Sequence, residues 1–481
     1  MKHLKKAIPL LLAALVLGGC ETVRNARDVQ ARLARTGTDR EAEEWVPPEV
    51  DLKGAPLRAL VEFALTNRPT MVSAALDVRD ARLALKAIAA DAPLASATPW
   101  NAADLSARLG YSETSPQTRF EDLRHTDKGR ASGGLSLDVL VYDFGRNAAR
   151  AKAQAEKVVA AELALINQGY AVFDEVAESY FTLLQSEALF EVACTNELEY
   201  AEHLRQAEDR LELGEAKELD VLRARVDLAK ARQDIVTASN TVVTAGADLM
   251  AAMGVDASIG DAASVLGTHL GGFDRVLRAL PVSTETTQEA FDFACTNAPV
   301  MKIARARMRA ASSEVDAAVA DLMPSLTASV SLNWTDPLWY WNWGVNAVQS
   351  LFTGFRKTTA VDRAVVALEI AAANVDHEEQ QLSYDLALAV AERDNAAEAG
   401  RTAQASVHEA RQNLDTVKAQ YEVGDVSRVE FTDAVSALMR TCGDRIKAHY
   451  RGQVAEARLF RLVGSDPVYL VEEWKTENPS E

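Results

Sequence analysis

The side chains that most often carry out chemistry are spread along this chain without the spacing of a known active site. The seven histidines are scattered, and the 70 carboxylates lie at ordinary intervals along helix-like patterns. The sequence has no HExxH, GxSxG, P-loop or Rossmann fingerprint, and no CxxC or mixed Cys/His spacing for a metal ion. We therefore expect a protein that is not an enzyme and needs no metal or cofactor.

One cysteine lies where a covalent modification is expected. Three lysines precede an apolar run from Ala7 to Leu17, which is too short for a permanent membrane span and predicts a secretory signal over residues 1–19. The run ends in Leu-Gly-Gly-Cys20, which resembles the lipobox of bacterial lipoproteins and implies acylation of Cys20 after cleavage. An ordinary signal peptide with a chance cysteine is the alternative. Glu21 favours an outer-membrane destination, and residues 20–56 are predicted to form a tether.

The net charge bears on possible binding partners, and the remaining cysteines bear on possible disulfides. Removal of residues 1–19 takes away three lysines and changes the formal net charge from −19 to −22. So acidic a chain is not expected to bind nucleic acid. Cys194, Cys295 and Cys442 remain beside Cys20, and we interpret them as helix-packing residues, although one disulfide is possible in the oxidising periplasm.

Several segments of the sequence occur twice. The segment RLELGEAKELDVLRA around Gly214 recurs 210 residues later as QYEVGDVSRVEFTDA around Gly424. The pattern AxTNxPxM also recurs, with Pro69 and Pro299 each at the first turn of a predicted helix. We predict two structural repeats over residues 57–254 and 287–465, a connector over 255–286 and a polar tail over 466–481.

Each repeat contains one predicted hairpin of alternating strands. Apolar and polar residues alternate over about 103–112 and 131–142 in the first repeat, and over about 325–334 and 340–351 in the second. Four strands cannot close a barrel alone, but three chains would supply 12. The tryptophans near residue 340 fit a membrane-interface belt, and a soluble hairpin with an aromatic face explains them equally well.

Long helices account for most of the remaining sequence. Heptad-like apolar rows without proline run from Arg146 to Leu213 and from Arg356 to Val423. Each predicted helix ends near a glycine and returns as a second helix, which gives helical hairpins over residues 145–252 and 355–463 with tips at 214 and 424. The predicted fold class is mainly α, with duplicated coiled-coil hairpins and a pair of β-hairpins.

These combined features identify the chain as similar to the outer-membrane efflux proteins, the TolC-like channel-tunnels, and specifically to their lipoprotein branch. The resemblance rests on the duplicated tip, the strand-to-helix joints YDFGR and FTGFR, the two TNxP helix starts and the lipobox. It implies a homotrimer with a shared 12-stranded β-barrel in the outer membrane and a helical barrel across the periplasm. It also implies docking on a periplasmic adaptor that connects to an inner-membrane transporter.

The resemblance places functional residues at the hairpin tips. Asp220 matches an aspartate that hydrogen-bonds an aromatic residue, here Tyr421, while Glu430 and Asp433 match acidic positions that line the narrowest ring. Val426 and Glu430 depart from the family pattern, in which some relatives carry arginine and aspartate. Adaptor contact is expected at the two tips, at Leu213, Gly214 and Glu215 and at Val423, Gly424 and Asp425. A solvated coiled-coil face is the alternative for the acidic residues.

Two further functions are compatible with the sequence. The first is an outer-membrane component of type I protein secretion, since such ducts serve several pump classes. The second is a lipid-anchored periplasmic coiled-coil scaffold without a pore. Paired membrane-type hairpins argue against the scaffold, and an efflux duct is the function that we expect.

Overall fold

The computed structural model describes residues 57–90, 103–112, 130–214, 217–255, 287–335, 338–423 and 425–463. Cys20, Glu215, Gly424, the predicted signal and tether, the tail from 466, and all but the first residue of the predicted connector lie outside this part of the chain. In chain order the elements are α1 (Leu57–Asn67), α2 (Pro69–Ala90), β1 (Ala103–Ser112), β2 (Arg130–Tyr142), α3 (Arg146–Glu212), α4 (Glu218–Ala252), α5 (Thr287–Asn297), α6 (Pro299–Ala320), β3 (Ser325–Thr335), β4 (Leu338–Val348), α7 (Arg356–Glu422) and α8 (Arg428–Val463). The predicted fold class is confirmed.

The four strands form one antiparallel sheet in the order β1-β2-β3-β4. Each repeat contributes a hairpin, and β2 pairs with β3 so that the two repeats share the sheet, with one irregularity between Leu140 and Tyr142. Strands β1 and β4 lie at its two edges. In the single chain, β4 is exposed along nearly its whole length, including Trp339, Trp341 and Trp343.

The joints between strands and long helices use left-handed backbone. In the first joint Phe144 and Gly145 have φ angles of 55° and 86°, and in the second Gly354 and Phe355 have φ angles of 63° and 62°. Both joints therefore need two consecutive left-handed residues, and glycine, which adopts them without strain, occupies a different position in each. At the first joint the buried Asp143 carboxylate also accepts the N–H groups of Gly145 (3.2 Å) and Asn147 (2.8 Å).

The helix starts that repeat in the sequence have the same local structure in both copies. Asn67 and Asn297 each donate from Nδ2 to the carbonyl four residues earlier, at 3.1 Å in both cases, so each short helix ends at its asparagine. Two residues later, Pro69 and Pro299 begin the next helix, where the missing N–H is not needed.

The long helices α3 and α7 contain 67 residues each, which corresponds to about 100 Å at a rise of roughly 1.5 Å per residue. Helix α3 ends at Gly214, whose φ angle of 77° suits a helix C-cap, and its amide donates to the carbonyl of Leu211 at 3.0 Å. Helices α4 and α8 return alongside, with 35 and 36 residues. None of the helices in the described ranges is long and apolar enough to cross a membrane.

The main core lies far from the hairpin tips, where α1, α3, α4 and α8 meet. Its buried side chains include Ala64, Val172, Val176, Met253 and Phe460. A second cluster joins α5, α6, α7 and α8 through Ala294, Met301, Leu386 and Leu459. Cys194, Cys295 and Cys442 are half-buried free thiols, so the disulfide left open by the sequence is not formed among them.

Candidate functional site: the hairpin tips

The free ends of the two helical hairpins expose apolar side chains. Leu213 is 74% exposed and Val423 is 79% exposed, and Gly214 has open space where a side chain would project. Asp425 is also exposed, and its amide donates to the carbonyl of Gln420 at 3.0 Å. The other exposed apolar residues beside the tips are Leu219, Leu222, Val226 and Val429. No other part of the described chain packs over these apolar side chains.

The acidic residues that match between the repeats cap the two returning helices. Asp220 accepts the backbone N–H of Lys217 at 3.4 Å. Glu430 accepts the N–H of Ser427 at 3.2 Å, while the Ser427 hydroxyl accepts the N–H of Glu430 at 3.3 Å, which is a capping box. A carboxylate is also favourable at this end of a helix dipole. The duplicated acidic position therefore has a structural role in both copies.

The expected hydrogen bond between Asp220 and Tyr421 is not formed among the described residues of one chain. Asp220 is engaged at its own helix start, and the Tyr421 ring instead stacks on Phe431 with a centroid distance of 5.2 Å. Arg210 lies over the same ring at 4.6 Å and donates from Nη2 to the Tyr421 carbonyl at 3.1 Å. Tyr421 therefore connects the first hairpin to the second through its ring face and its backbone.

His203 lies beside these aromatic rings. Its ring centroid is 5.5 Å from that of Tyr421 and 5.0 Å from that of Phe431, and the residue is only 1% exposed. Neither ring nitrogen has a hydrogen-bond partner among the described residues. Burial lowers the pKa of His203, the Arg428 guanidinium lowers it further, and Asp227 opposes this effect.

An ion pair completes the connection between the hairpins. Arg428 Nη1 on α8 lies 2.7 Å from Asp227 Oδ2 on α4, and their side chains are 16% and 33% exposed. Nearby, the hydroxyls of Tyr200 on α3 and Ser436 on α8 are 3.2 Å apart. We call the connecting residues the tip cluster: His203, Arg210, Asp227, Tyr421, Arg428 and Phe431.

Tyr421 was predicted from the sequence, whereas the other five members of the tip cluster were not. His203 does continue an apolar helical row, three residues after Tyr200 and four before the buried Ala207, which was an available signal for burial. The pairing of Arg428 with Asp227 had no such signal, because it joins residues 201 positions apart. Glu430 and Asp433 lie one turn apart at the start of α8, and both are exposed.

A groove of about 770 Å³ between α3, α7 and α8 is a weaker candidate site. Arg458 at this groove lies 3.1 Å from Glu392 and 3.9 Å from Glu178, so these charges pair with one another. No group of His, Cys, Asp and Glu suited to a metal ion occurs within the described residues. The tip cluster is the better candidate because it joins both repeats next to their free ends.

Comparison with known proteins identifies the wider group. The family model described as outer membrane efflux protein matches residues 61–255 and 292–465, which cover nearly all of both repeats. No curated protein sequence matches the chain significantly.

Solved structures share the fold at low sequence identity. A CusC structure superposes with a TM-score of 0.74 at 20% identity, covering 86% of this chain and 93% of CusC. VceC from Vibrio cholerae gives 0.70 at 19% identity, with 85% and 96% covered. MtrE from Neisseria gonorrhoeae, solved in its open state, gives 0.68 at 16% identity, with 85% and 89% covered.

Proposed function

This chain belongs to the outer membrane efflux protein family and is an outer-membrane channel protein, and we propose that its tip cluster is the latch of a gate at the periplasmic end. Proteins of the family are passive channels that extend into the periplasm and work with a periplasmic adaptor and an inner-membrane pump. Type I secretion and a scaffold without a pore are not favoured by these findings.

The observation that carries the gate proposal is the set of contacts between the two hairpins near their free ends. Arg210 joins α3 to α7, and the Arg428–Asp227 pair joins α8 to α4. While these contacts hold, the second hairpin stays against the first. When these contacts are lost, the second hairpin can move relative to the first. Glu430 and Asp433 lie on α8 of that hairpin, so their distance from the central axis of a trimer would change. In a trimer these positions supply six carboxylates, a ring that favours cations.

We propose a homotrimer because one sheet leaves both edge strands, β1 and β4, without a partner in the described chain. Three such sheets joined edge to edge form a closed barrel of 12 strands, and closure removes the exposed edges. The exposed tryptophans of β4 then face outer-membrane lipid at the interface.

We also propose a lipid anchor and an adaptor-docking surface. Residues 1–19 are the signal, Cys20 carries the lipid, and the tether to residue 56 connects it to the first repeat. The proposed docking surface consists of Leu213, Gly214 and Glu215 in the first repeat and Val423, Gly424 and Asp425 in the second. Exposed apolar groups at the free end of both hairpins support this surface.

Purified protein in planar bilayers tests both the channel and its latch. We expect conductance from the trimer and a larger resting conductance from Tyr421→Ala, since truncation removes the buried ring between the hairpins. Tyr384→Ala is the matched control, because Tyr384 lies on the same helix and is exposed. A confirmed trimer without conductance would refute the channel. Equal resting conductance of the Tyr421→Ala and Tyr384→Ala variants would refute the latch.

A further inference from the structure

His203 lies where all four long helices meet near the tips. It projects from α3, and the titratable or charged groups that face it are Arg210 from α3, Asp227 from α4, Tyr421 from α7 and Arg428 from α8. Its ring also contacts Phe431 of α8. The side chain is therefore part of the contact that holds the second hairpin against the first.

The site suits a neutral imidazole and not a charged one. The ring is buried and neither nitrogen is hydrogen-bonded within the part of the chain that the structure describes, so a proton added there would place an unsolvated charge in the cluster. Two guanidinium groups, from Arg210 and Arg428, add repulsion. Asp227 offers attraction, but its carboxylate is already held by Arg428 at 2.7 Å. Separation of the hairpins would return the ring to water and relieve all of these effects.

We propose that His203 is a pH-sensitive element of the latch, which holds the hairpins together when neutral and releases them when protonated. This inference rests on the proposed gate function. It adds a trigger that acts without the adaptor, since acidification of the periplasm alone shifts the tips toward the separated state.

The direction of the effect follows from linkage. The closed state has the lowered pKa, so it binds fewer protons than the separated state, in which His203 approaches its ordinary value of 6.5. The stabilisation of the closed state is fully present above that value and is lost as the pH falls below it. If His203 in the closed state stays neutral over this range, the ratio of separated to closed tips rises by at most about tenfold per chain as the pH falls from about 7.5 to about 5.5.

Distances between the tips measure this directly. Leu213→Cys and Val423→Cys place one spin label on each exposed tip, in full-length protein whose Cys194, Cys295 and Cys442 are changed to serine. Trimers with one labelled chain diluted among unlabelled chains report the distance within that chain by electron–electron double resonance. We expect a second, longer distance to grow as the pH falls from about 7.5 to about 5.5.

Substitutions separate His203 from the other histidines. His203→Phe keeps an aromatic ring and removes the titration, so the distance distribution should no longer depend on pH in this range. His408 is exposed on α7, so His408→Phe should leave the pH response intact. His449→Phe should also leave it intact, although burial lowers the pKa of His449 as well. Arg428→Gln removes a neighbouring cation and leaves Asp227 without that partner, so a protonated His203 opposes the closed state less. The fold-change in separated tips between about pH 7.5 and pH 5.5 should therefore be smaller than in the wild type.

The outcomes are distinguishable from failure of the gate itself. A wild-type distance that does not change with pH, or a response that persists in His203→Phe, overturns the inference. If His203→Phe does not assemble, a pH-dependent fold-change in Arg428→Gln that equals or exceeds the wild-type change overturns the inference instead. Conductance at about pH 7.5 with a constant tip distance leaves the channel intact and removes only the pH response.

Discussion

The ion pair between Arg428 and Asp227 gives a quantitative test of the latch. Its two atoms are 2.7 Å apart, and the side chains are only 16% and 33% exposed, so water screens the pair less than it screens an ordinary surface pair. Exposed pairs contribute about 0.2–1 kcal/mol, whereas hydrogen bonds to charged groups contribute about 1.5–3 kcal/mol. We expect a coupling of about 1.5 kcal/mol, or roughly tenfold in the ratio of separated to closed tips.

A double-mutant cycle with Arg428→Gln and Asp227→Asn isolates this coupling. The spin-label distances between the two tips supply the ratio of separated to closed states, and the measurement is made near pH 8, where His203 is neutral. Each single substitution should increase the separated fraction, and the double variant should add little to either single variant. The shared loss is the signature of a direct interaction.

A second pair provides the matched control. Arg225 and Glu208 are 2.9 Å apart, but both belong to the first hairpin and are well exposed. Their cycle should give no more than about 0.3 kcal/mol in tip separation, since breaking the pair does not affect contacts between the hairpins. A coupling between Arg428 and Asp227 as small as that of the control pair would refute the reasoning.

Three further predictions concern residues at the tips and the N-terminus. Tyr421→Phe should change resting conductance by less than about twofold, because the hydroxyl makes no hydrogen bond among the described residues and its loss costs below about 0.5 kcal/mol; a large increase would show that the hydroxyl is bonded in the assembled channel. Multivalent cations should block current from the periplasmic side, and Glu430→Ala with Asp433→Ala should relieve that block, whereas an unchanged block would place the constriction elsewhere. Cys20→Ser should abolish incorporation of labelled palmitate, and continued labelling would show that another residue carries the lipid.

The architecture could be predicted because its signals are local. Alternation with a period of two identified the strands, and heptad-like rows identified helices of 67 residues. Gly214 indicated the end of a helix, because glycine readily adopts the positive φ angle that a helix C-cap requires. Each of these features depends on neighbours within a few residues, and each pattern occurs once in each repeat.

The tip cluster could not be predicted in the same way, because its contacts join the two repeats. A heptad pattern does not specify which residues of one hairpin face the other, so His203 and the Arg428–Asp227 pair were missed. Asp220 and Glu430 were named from the family resemblance, but their helix-capping hydrogen bonds in this structure differ from the bond expected between Asp220 and Tyr421.

The open edges of the sheet also affect how stability must be measured. A protomer that has not yet assembled presents β1 and β4 as two long unpaired edges, which can pair with any other chain. Folding and association are then linked by mass action, so the unfolding temperature should rise with protein concentration. Stabilities of variants are therefore comparable only at equal protomer concentration, and a substitution at a strand edge can change yield through misassembly without altering the folded channel.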